Sequence, residues 1–221
     1  KTLYRKNITK IKDDFRIDLG KVISYLPKVG MVILCNPNNP TGCLLKKSAL
    51  LKLAKACEKN KVHLLIDEVF MDFVENESEF SLIREPVKLN YLLILRSFTK
   101  FFSLPGLRAG YLVGAKKTIK RIASFQPSWS VNSLAQEIVA SGLRDSEFIK
   151  KTKSYLLKEK DYLFSNLKKI NGLKPYYPNA NFIFCRIDKA KLDSGKLFLR
   201  LLKSGNLIRD CSNFRGLDNK Y

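Results

Sequence analysis

Three short stretches of this sequence combine side chains suited to gripping an anion and presenting a nucleophile beside it. The richest is Ser97-Phe98-Thr99-Lys100-Phe101-Phe102-Ser103-Leu104-Pro105-Gly106-Leu107-Arg108-Ala109-Gly110. Here Lys100 is preceded by hydroxyls at Ser97 and Thr99 and followed eight positions later by Arg108. Hydroxyls and a guanidinium are anion donors, and a lysine amine among them is a candidate nucleophile. The second stretch, Asp67-Glu68-Val69-Phe70, ends an apolar run, where a carboxylate is costly unless it faces a cation or strong donor; a protonated heterocycle nitrogen would serve. The third, Asn36-Pro37-Asn38-Asn39-Pro40-Thr41-Gly42, is a loop stiffened by two prolines in which an asparagine amide can be aimed at a ligand oxygen. By itself it could be only a turn.

The elements that must position these residues follow from periodicity. Val29 to Cys35 reads as a buried strand, Lys47 to Asn60 as a helix with Leu50, Leu51, Leu53, Ala54 and Cys57 at helical spacing, and Val62 to Ile66 as a second strand. Tyr91 to Leu95 and Ala109 to Val113 supply two more, ahead of helices starting near Lys116 and Ser133. Strands alternating with helices predict an α/β domain with a mainly parallel sheet. All three motifs then fall just past strand ends, where open α/β sheets hold their ligands. Gly142 reads as a helix breaker, with a boundary near residue 145 and an amphipathic helix over Glu147 to Ile170. The remainder reads as a small α+β unit, with strands at Phe182 to Ile187 and Leu207 to Asp210 around a helix at Lys196 to Leu202.

Composition narrows the class. The 221 residues are 45% hydrophobic and 28% charged, enough to bury a core, and no apolar run approaches the ~20 residues of a membrane span. Five cysteines without a CxxC pair and the single His63 leave no zinc-site spacing and no disulfide framework, so a reducing cytoplasm is the simplest compartment. The net charge of +21 raises nucleic acid as a partner. The lysines, however, are scattered as pairs on solvated faces (Lys46-Lys47, Lys116-Lys117, Lys150-Lys151, Lys168-Lys169), which points instead to small anionic ligands.

NPNNPTG from Asn36, DEVF from Asp67 and SFTKFFSLPGLRAGY from Ser97 resemble, in that order, the cofactor-binding series of the class I and II aminotransferases, and the similarity spans essentially the whole chain. The resemblance implies pyridoxal 5'-phosphate as cofactor and a fold of the aspartate-aminotransferase type. Residues 1–145 would belong to the large cofactor-binding domain and 146–221 to the small C-terminal domain. It further implies that Lys100 is the catalytic lysine that holds the cofactor covalently, that Asp67 keeps the pyridine nitrogen protonated and that Asn39 bonds the phenolic oxygen. Ser97, Thr99 and Arg108 would hold the phosphate. Phe70 stands where many relatives carry tyrosine. With Gln126-Pro127-Ser128-Trp129-Ser130-Val131-Asn132 and Arg209-Asp210-Cys211-Ser212-Asn213-Phe214-Arg215-Gly216-Leu217, it resembles the threonine-phosphate decarboxylases of cobalamin synthesis, which convert L-threonine O-3-phosphate to aminopropanol phosphate and carbon dioxide. Histidinol-phosphate aminotransferases share most of these features. Either family implies a small phosphorylated amino-acid-like substrate, with Arg209, Asn132 and Trp129 as substrate-binding candidates, and a cytoplasmic homodimer.

Relatives carry a phosphate-binding turn and a ring-stacking aromatic before the region where Lys1 stands, and a carboxylate-binding arginine beyond Tyr221. The expectation is therefore that these 221 residues alone bind cofactor weakly and turn over negligibly. A non-enzymatic alternative is the cofactor-sensing domain of a transcription regulator, although no helix-turn-helix pattern is visible. Among the other polar and aromatic residues, Glu68 reads as a helix-capping or solvated carboxylate and His63 as a satisfied core histidine. Phe70, Phe73, Phe101, Phe102 and Trp129 read as core by default, Trp129 also as a pocket residue, and Cys35 and Cys57 as packing.

Overall fold

The computed structural model describes residues 15–189 and 192–221. Helix α1 (Leu19–Ser24) is capped by the Asp18 side chain, which accepts from the Lys21 amide at 3.0 Å. Strand β1 (Met31–Cys35) leads through the Asn36 loop into α2 (Lys47–Asn60), then β2 (His63–Asp67) and β3 (Leu92–Ser97). Strand β4 (Gly110–Gly114) is followed by α3 (Lys116–Ala123), α4 (Ser133–Arg144) and α5 (Ser146–Leu167). A ribbon of β5 (Leu173–Pro175) and β6 (Cys185–Ile187) precedes α6 (Ser194–Lys203).

The main sheet has the order β1-β2-β3-β4. The first three strands are parallel and in register, with Cys35 opposite Asp67 and Asp67 opposite Leu95; β4 returns antiparallel along β3. The sheet is thus the mainly parallel one expected. Its core forms where Leu50, Leu53, Ala54 and Cys57 of α2 meet Leu34, Leu64, Ile66, Leu92 and Ile94 of the strands. Each such leucine or isoleucine contributes roughly 1.5–3 kcal/mol by leaving water. The 3.6-residue spacing of the α2 set is what makes a single face of that helix meet the sheet.

Strand β1 is not buried on both sides. Leu34 faces α2, but Met31 and Ile33 point to the opposite face and Ile33 is 66% exposed. The apolar run looks like a fully buried strand only because both of its faces are apolar; alternation of side chains sends them to different environments. Gly142 likewise lies within α4 rather than ending it. A Cβ there would come within 3.1 Å of the Phe102 ring, so glycine serves close packing, and the helix ends instead at Asp145, whose carboxylate caps α5 by accepting from the Phe148 amide at 2.8 Å.

The C-terminal segment forms a second cluster, in which Phe184 stacks on Tyr221 at 5.0 Å and Phe15 meets Tyr176, Phe184 and Tyr221 edge-on. The strand expected at Leu207 to Asp210 does not form: Asp210 turns back to accept from the Ser212 amide at 2.9 Å, and Leu207 is exposed, with no strand paired to this segment among the described residues. The strand expected over Phe182 to Ile187 is confined to Cys185–Ile187.

Candidate functional site

Because β1, β2 and β3 run parallel, their carboxyl ends emerge at one edge of the sheet and carry the three motifs with them. Two loop amides keep the ladder going: Asn36 N–H donates to the Asp67 carbonyl and Glu68 N–H to the Leu95 carbonyl, each at 2.9 Å. The three stretches, separated by tens of residues in sequence, therefore leave the sheet side by side.

After β1, the loop closes on itself. Asn38 N–H donates to the Cys43 carbonyl at 2.8 Å, Gly42 N–H to the Asn38 carbonyl at 2.7 Å, and the Asn38 amide group to Thr41 Oγ1 at 2.6 Å. Asn36 is wholly buried, its Oδ1 accepting from the Leu45 amide at 2.8 Å. With Asn36 and Asn38 committed to the loop itself, Asn39 is the asparagine left exposed. At the end of β2, Asp67 is half-buried and its Oδ1 accepts from the Val69 amide at 3.0 Å.

Past β3, Ser97 Oγ and Thr99 Oγ1 lie 2.7 Å apart, and Ser97 Oγ also accepts from the Thr99 amide at 3.1 Å. This tight pair depends on β4 coming close: Gly110 sits opposite Ser97, and a Cβ on it would stand 2.7 Å from the Arg96 carbonyl oxygen. Arg108, two residues earlier, has left-handed backbone (φ +52°). Its Nη1 donates to the Pro105 carbonyl at 2.8 Å, and among the described residues no carboxylate pairs with it. Lys100 is exposed, its Nζ 6.0 Å from the centre of the Phe70 ring, which packs edge-on to Phe182 at 5.2 Å.

The substrate candidates are spread out. Asn132 caps α4, accepting from the Ala135 amide at 2.8 Å and donating to the Leu107 carbonyl at 3.4 Å, which brings it beside the Arg108 loop. Arg209 is exposed, bonded to Asn213 Oδ1 at 3.1 Å and lying 5.5 Å over Phe214. Trp129 is 96% exposed at φ +57°, so it is not core, and nothing among the described residues encloses it. Phe73 and Phe101 are buried as expected, Phe70 and Phe102 only partly. His63 packs on Tyr91 at 5.0 Å, but its buried Nδ1 has no hydrogen-bond partner among the described residues, so it is not a satisfied core histidine.

Glu68 is neither solvated nor a cap; it is 0% exposed and belongs to an ion cluster absent from the motif reading. Arg96, 2% exposed, reaches Glu68 Oε2 through Nε at 2.9 Å and Nη2 at 2.8 Å, Asp72 Oδ1 at 3.0 Å and Glu77 Oε1 at 2.6 Å. Ser81 Oγ and the Leu82 amide complete the Glu68 shell at 2.7 and 3.0 Å. Burial opposes the Arg96 charge, but Glu68, Glu77 and Asp72 outweigh it and hold the guanidinium above its ordinary value. Burial also pushes the Glu68 and Asp72 carboxyls up, and the shared Arg96 charge only partly pulls them back. The available sequence signal was an arginine inside the apolar run Leu92 to Leu95-Arg96-Ser97. Asn179 was also missed; its amide donates to the Gly42 carbonyl at 2.8 Å across 137 residues and ties the C-terminal segment to the Asn39 loop.

The arrangement offers a hydroxyl pair and an arginine for an anion, a carboxylate for a protonated ring nitrogen, and a solvent-accessible primary amine.

The model of the family "Aminotransferase class I and II" matches residues 2–216. The threonine-phosphate decarboxylase of Salmonella typhimurium is 36% identical over 88% of this chain and 52% of its own length. The histidinol-phosphate aminotransferase of Methanococcus aeolicus is 33% identical over 99% of this chain and 59% of its own. In three dimensions, the histidinol-phosphate aminotransferase of Clostridium acetobutylicum superposes with a TM-score of 0.90 at 33% identity, covering 96% of this chain and 63% of that one. The chain thus spans somewhat over half the length of these relatives.

Proposed function

Since the chain belongs to the class I and II aminotransferases, a family dependent on pyridoxal phosphate, we propose that the full-length protein uses that cofactor to decarboxylate L-threonine O-3-phosphate. The fold is that of the aspartate aminotransferases. The observation that carries the reading is the convergence of Asn39, Asp67, Ser97, Thr99, Lys100 and Arg108 on one sheet edge.

These residues fit the cofactor chemically. Ser97, Thr99 and Arg108, a hydroxyl pair and a cation that no carboxylate pairs with among the described residues, would hold its phosphate. Asp67 would hold a proton on the ring nitrogen, and Asn39 would bond the phenolic oxygen. Lys100 would hold the cofactor covalently through Nζ and, once displaced by the substrate amine, deliver from Nζ the proton that replaces the carboxylate on substrate Cα. The bound cofactor supplies an electron sink for the bond broken at Cα. Phe70 contributes a ring face and no hydroxyl near Lys100, and Arg209 would take the substrate phosphate with its planar fork. Asn132 and Trp129 would border the substrate. The decarboxylase is favoured by Phe70 and by the Salmonella relative. The protein would act as a cytoplasmic homodimer.

A second reading, amino transfer from histidinol phosphate to 2-oxoglutarate, is favoured by the near-complete coverage in the Methanococcus relative and by the superposition. The test is to load full-length protein with cofactor and measure carbon dioxide release from L-threonine O-3-phosphate in parallel with amino transfer from histidinol phosphate. Release alone supports the decarboxylase; transfer alone replaces it with the aminotransferase. Silence in both assays, with cofactor bound, would turn the assignment toward a cofactor sensor.

A further inference from the structure

Arg96 lies one residue before Ser97 on β3, and its main partner Glu68 lies one residue after Asp67 on β2. Each half of the cofactor site therefore begins at a residue whose neighbour is locked into the same buried ion cluster. The cluster also recruits Asp72, Glu77 and Ser81 from the β2–β3 connection, which contains no α-helix to brace it.

We infer that Arg96 is a positioning residue for the cofactor site: its guanidinium fork fixes the Asp67 carboxylate relative to the Ser97–Lys100 turn. This rests on the cofactor reading above. Three features support it. The guanidinium is almost fully removed from solvent and directs Nε, Nη1 and Nη2 to separate partners, a geometry a lysine ammonium cannot copy. Glu68 is held by two further donors, so a shift in Arg96 moves the β2 end rather than one loose side chain. Thirdly, the Arg96 carbonyl is the group the glycine at position 110 approaches, so the same residue also sets the β3–β4 spacing at the hydroxyl pair.

Misplacing a reacting group by about 1 Å can cost on the order of 100-fold in rate, so a cluster of this kind has leverage without touching cofactor. With the cofactor bound, a ring proton held by Asp67 would oppose a second positive charge near Lys100 Nζ, and a loosened Asp67 would relax that opposition, so the pH midpoint of the bound cofactor's absorbance would rise.

The test uses full-length protein loaded with pyridoxal phosphate, with two readouts: the pH titration of the bound cofactor's visible absorbance, and borohydride trapping at Lys100 followed by peptide mass analysis. Arg96→Lys is expected to raise the midpoint by about one pH unit or more, an order-of-magnitude change in the proton equilibrium. Glu77→Gln, at the half-exposed rim of the cluster, is expected to give a smaller rise. Glu58→Gln is the structural control. It removes one of the two oxygens that together accept three bonds from Asn90 and Tyr91 just before β3, away from the cluster, and is expected to lower thermal stability without moving the midpoint. If Arg96→Lys does not fold, Glu77→Gln decides by the same criterion. Wild-type midpoints in the cluster variants, or an equal rise in Glu58→Gln, would overturn the inference. Failure to trap cofactor at Lys100 in the wild type would overturn the functional reading, and the inference with it.

Discussion

Replacing Arg96 with methionine removes the cation that joins the buried Glu68 to the partly exposed Asp72 and Glu77. At an effective dielectric of about 20, a unit charge pair 2.8 Å apart attracts by about 6 kcal/mol, and Arg96 makes such a contact with Glu68 and comparable ones with Asp72 and Glu77. Much of this is offset by the desolvation of Arg96 and Glu68, which are 2% and 0% exposed. The relevant quantity is the cost of stranding the carboxylates, about 3–5 kcal/mol for a buried pair broken on one side. Against a typical total of 5–15 kcal/mol, that is a large fraction of the stability. Methionine fills most of the volume, so a cavity contributes little. Urea unfolding of the full-length protein, followed by far-ultraviolet circular dichroism at pH 7, measures the loss. The pH dependence carries the sign of the argument. Burial already raises the Glu68 and Asp72 carboxyls, with Arg96, Glu77, Ser81, Lys153 and Tyr111 around them, and losing Arg96 raises them further. The folded variant then binds more protons than its unfolded chain, so its deficit against the wild type shrinks as pH falls toward about 4.5. A loss below about 1 kcal/mol, or a deficit that grows with acid, would refute the account of this cluster as cation-held.

Three further outcomes follow from the same geometry. Lys100→Ala removes an exposed side chain with no ion pair among the described residues, so unfolding stability should stay within about 0.5 kcal/mol while borohydride trapping of cofactor disappears; retained trapping elsewhere would displace Lys100 from its role. Gly110→Ala places a Cβ 2.7 Å from the Arg96 carbonyl, and thermal melting should show a cost of about 1–3 kcal/mol as β3 and β4 are forced apart. Glu68→Gln removes a carboxyl that burial raises above its ordinary value; the wild type's stability relative to this variant should decline as pH rises from about 4 to 7, and urea midpoints across that range check the slope.

The separation between what was readable and what was not follows the reach of each interaction. Helix α2 was predicted at its observed bounds because its apolar residues repeat every 3.6 positions and a single face meets the sheet. The starts of α3 and α4 and the order of four strands were likewise local patterns. The three motifs stood out by residue type and short spacing, whereas the individual roles given to Lys100, Asp67 and Asn39 rest on the family resemblance. The faces of β1 were not legible, since an apolar run does not say which side meets a helix and which meets solvent. Nor was the strand at Leu207 to Asp210 correctly read, because a strand requires a partner and none pairs with it among the described residues.

By itself, then, the sequence determined the α/β character, the bounds of α2 and the order of the four strands of the main sheet, and it marked three motifs just past strand ends. Tertiary structure decided everything that depends on distant neighbours. Parallel pairing aligned Cys35, Asp67 and Leu95, and so brought three separate motifs to one edge. It turned Glu68 from a solvated carboxylate into the partner of Arg96, and Asn179 into a clasp on a loop 137 residues away. Local propensities act over a few residues, whereas burial, ion pairing and strand register are set only when remote segments meet, which is why those features could not be read along the chain.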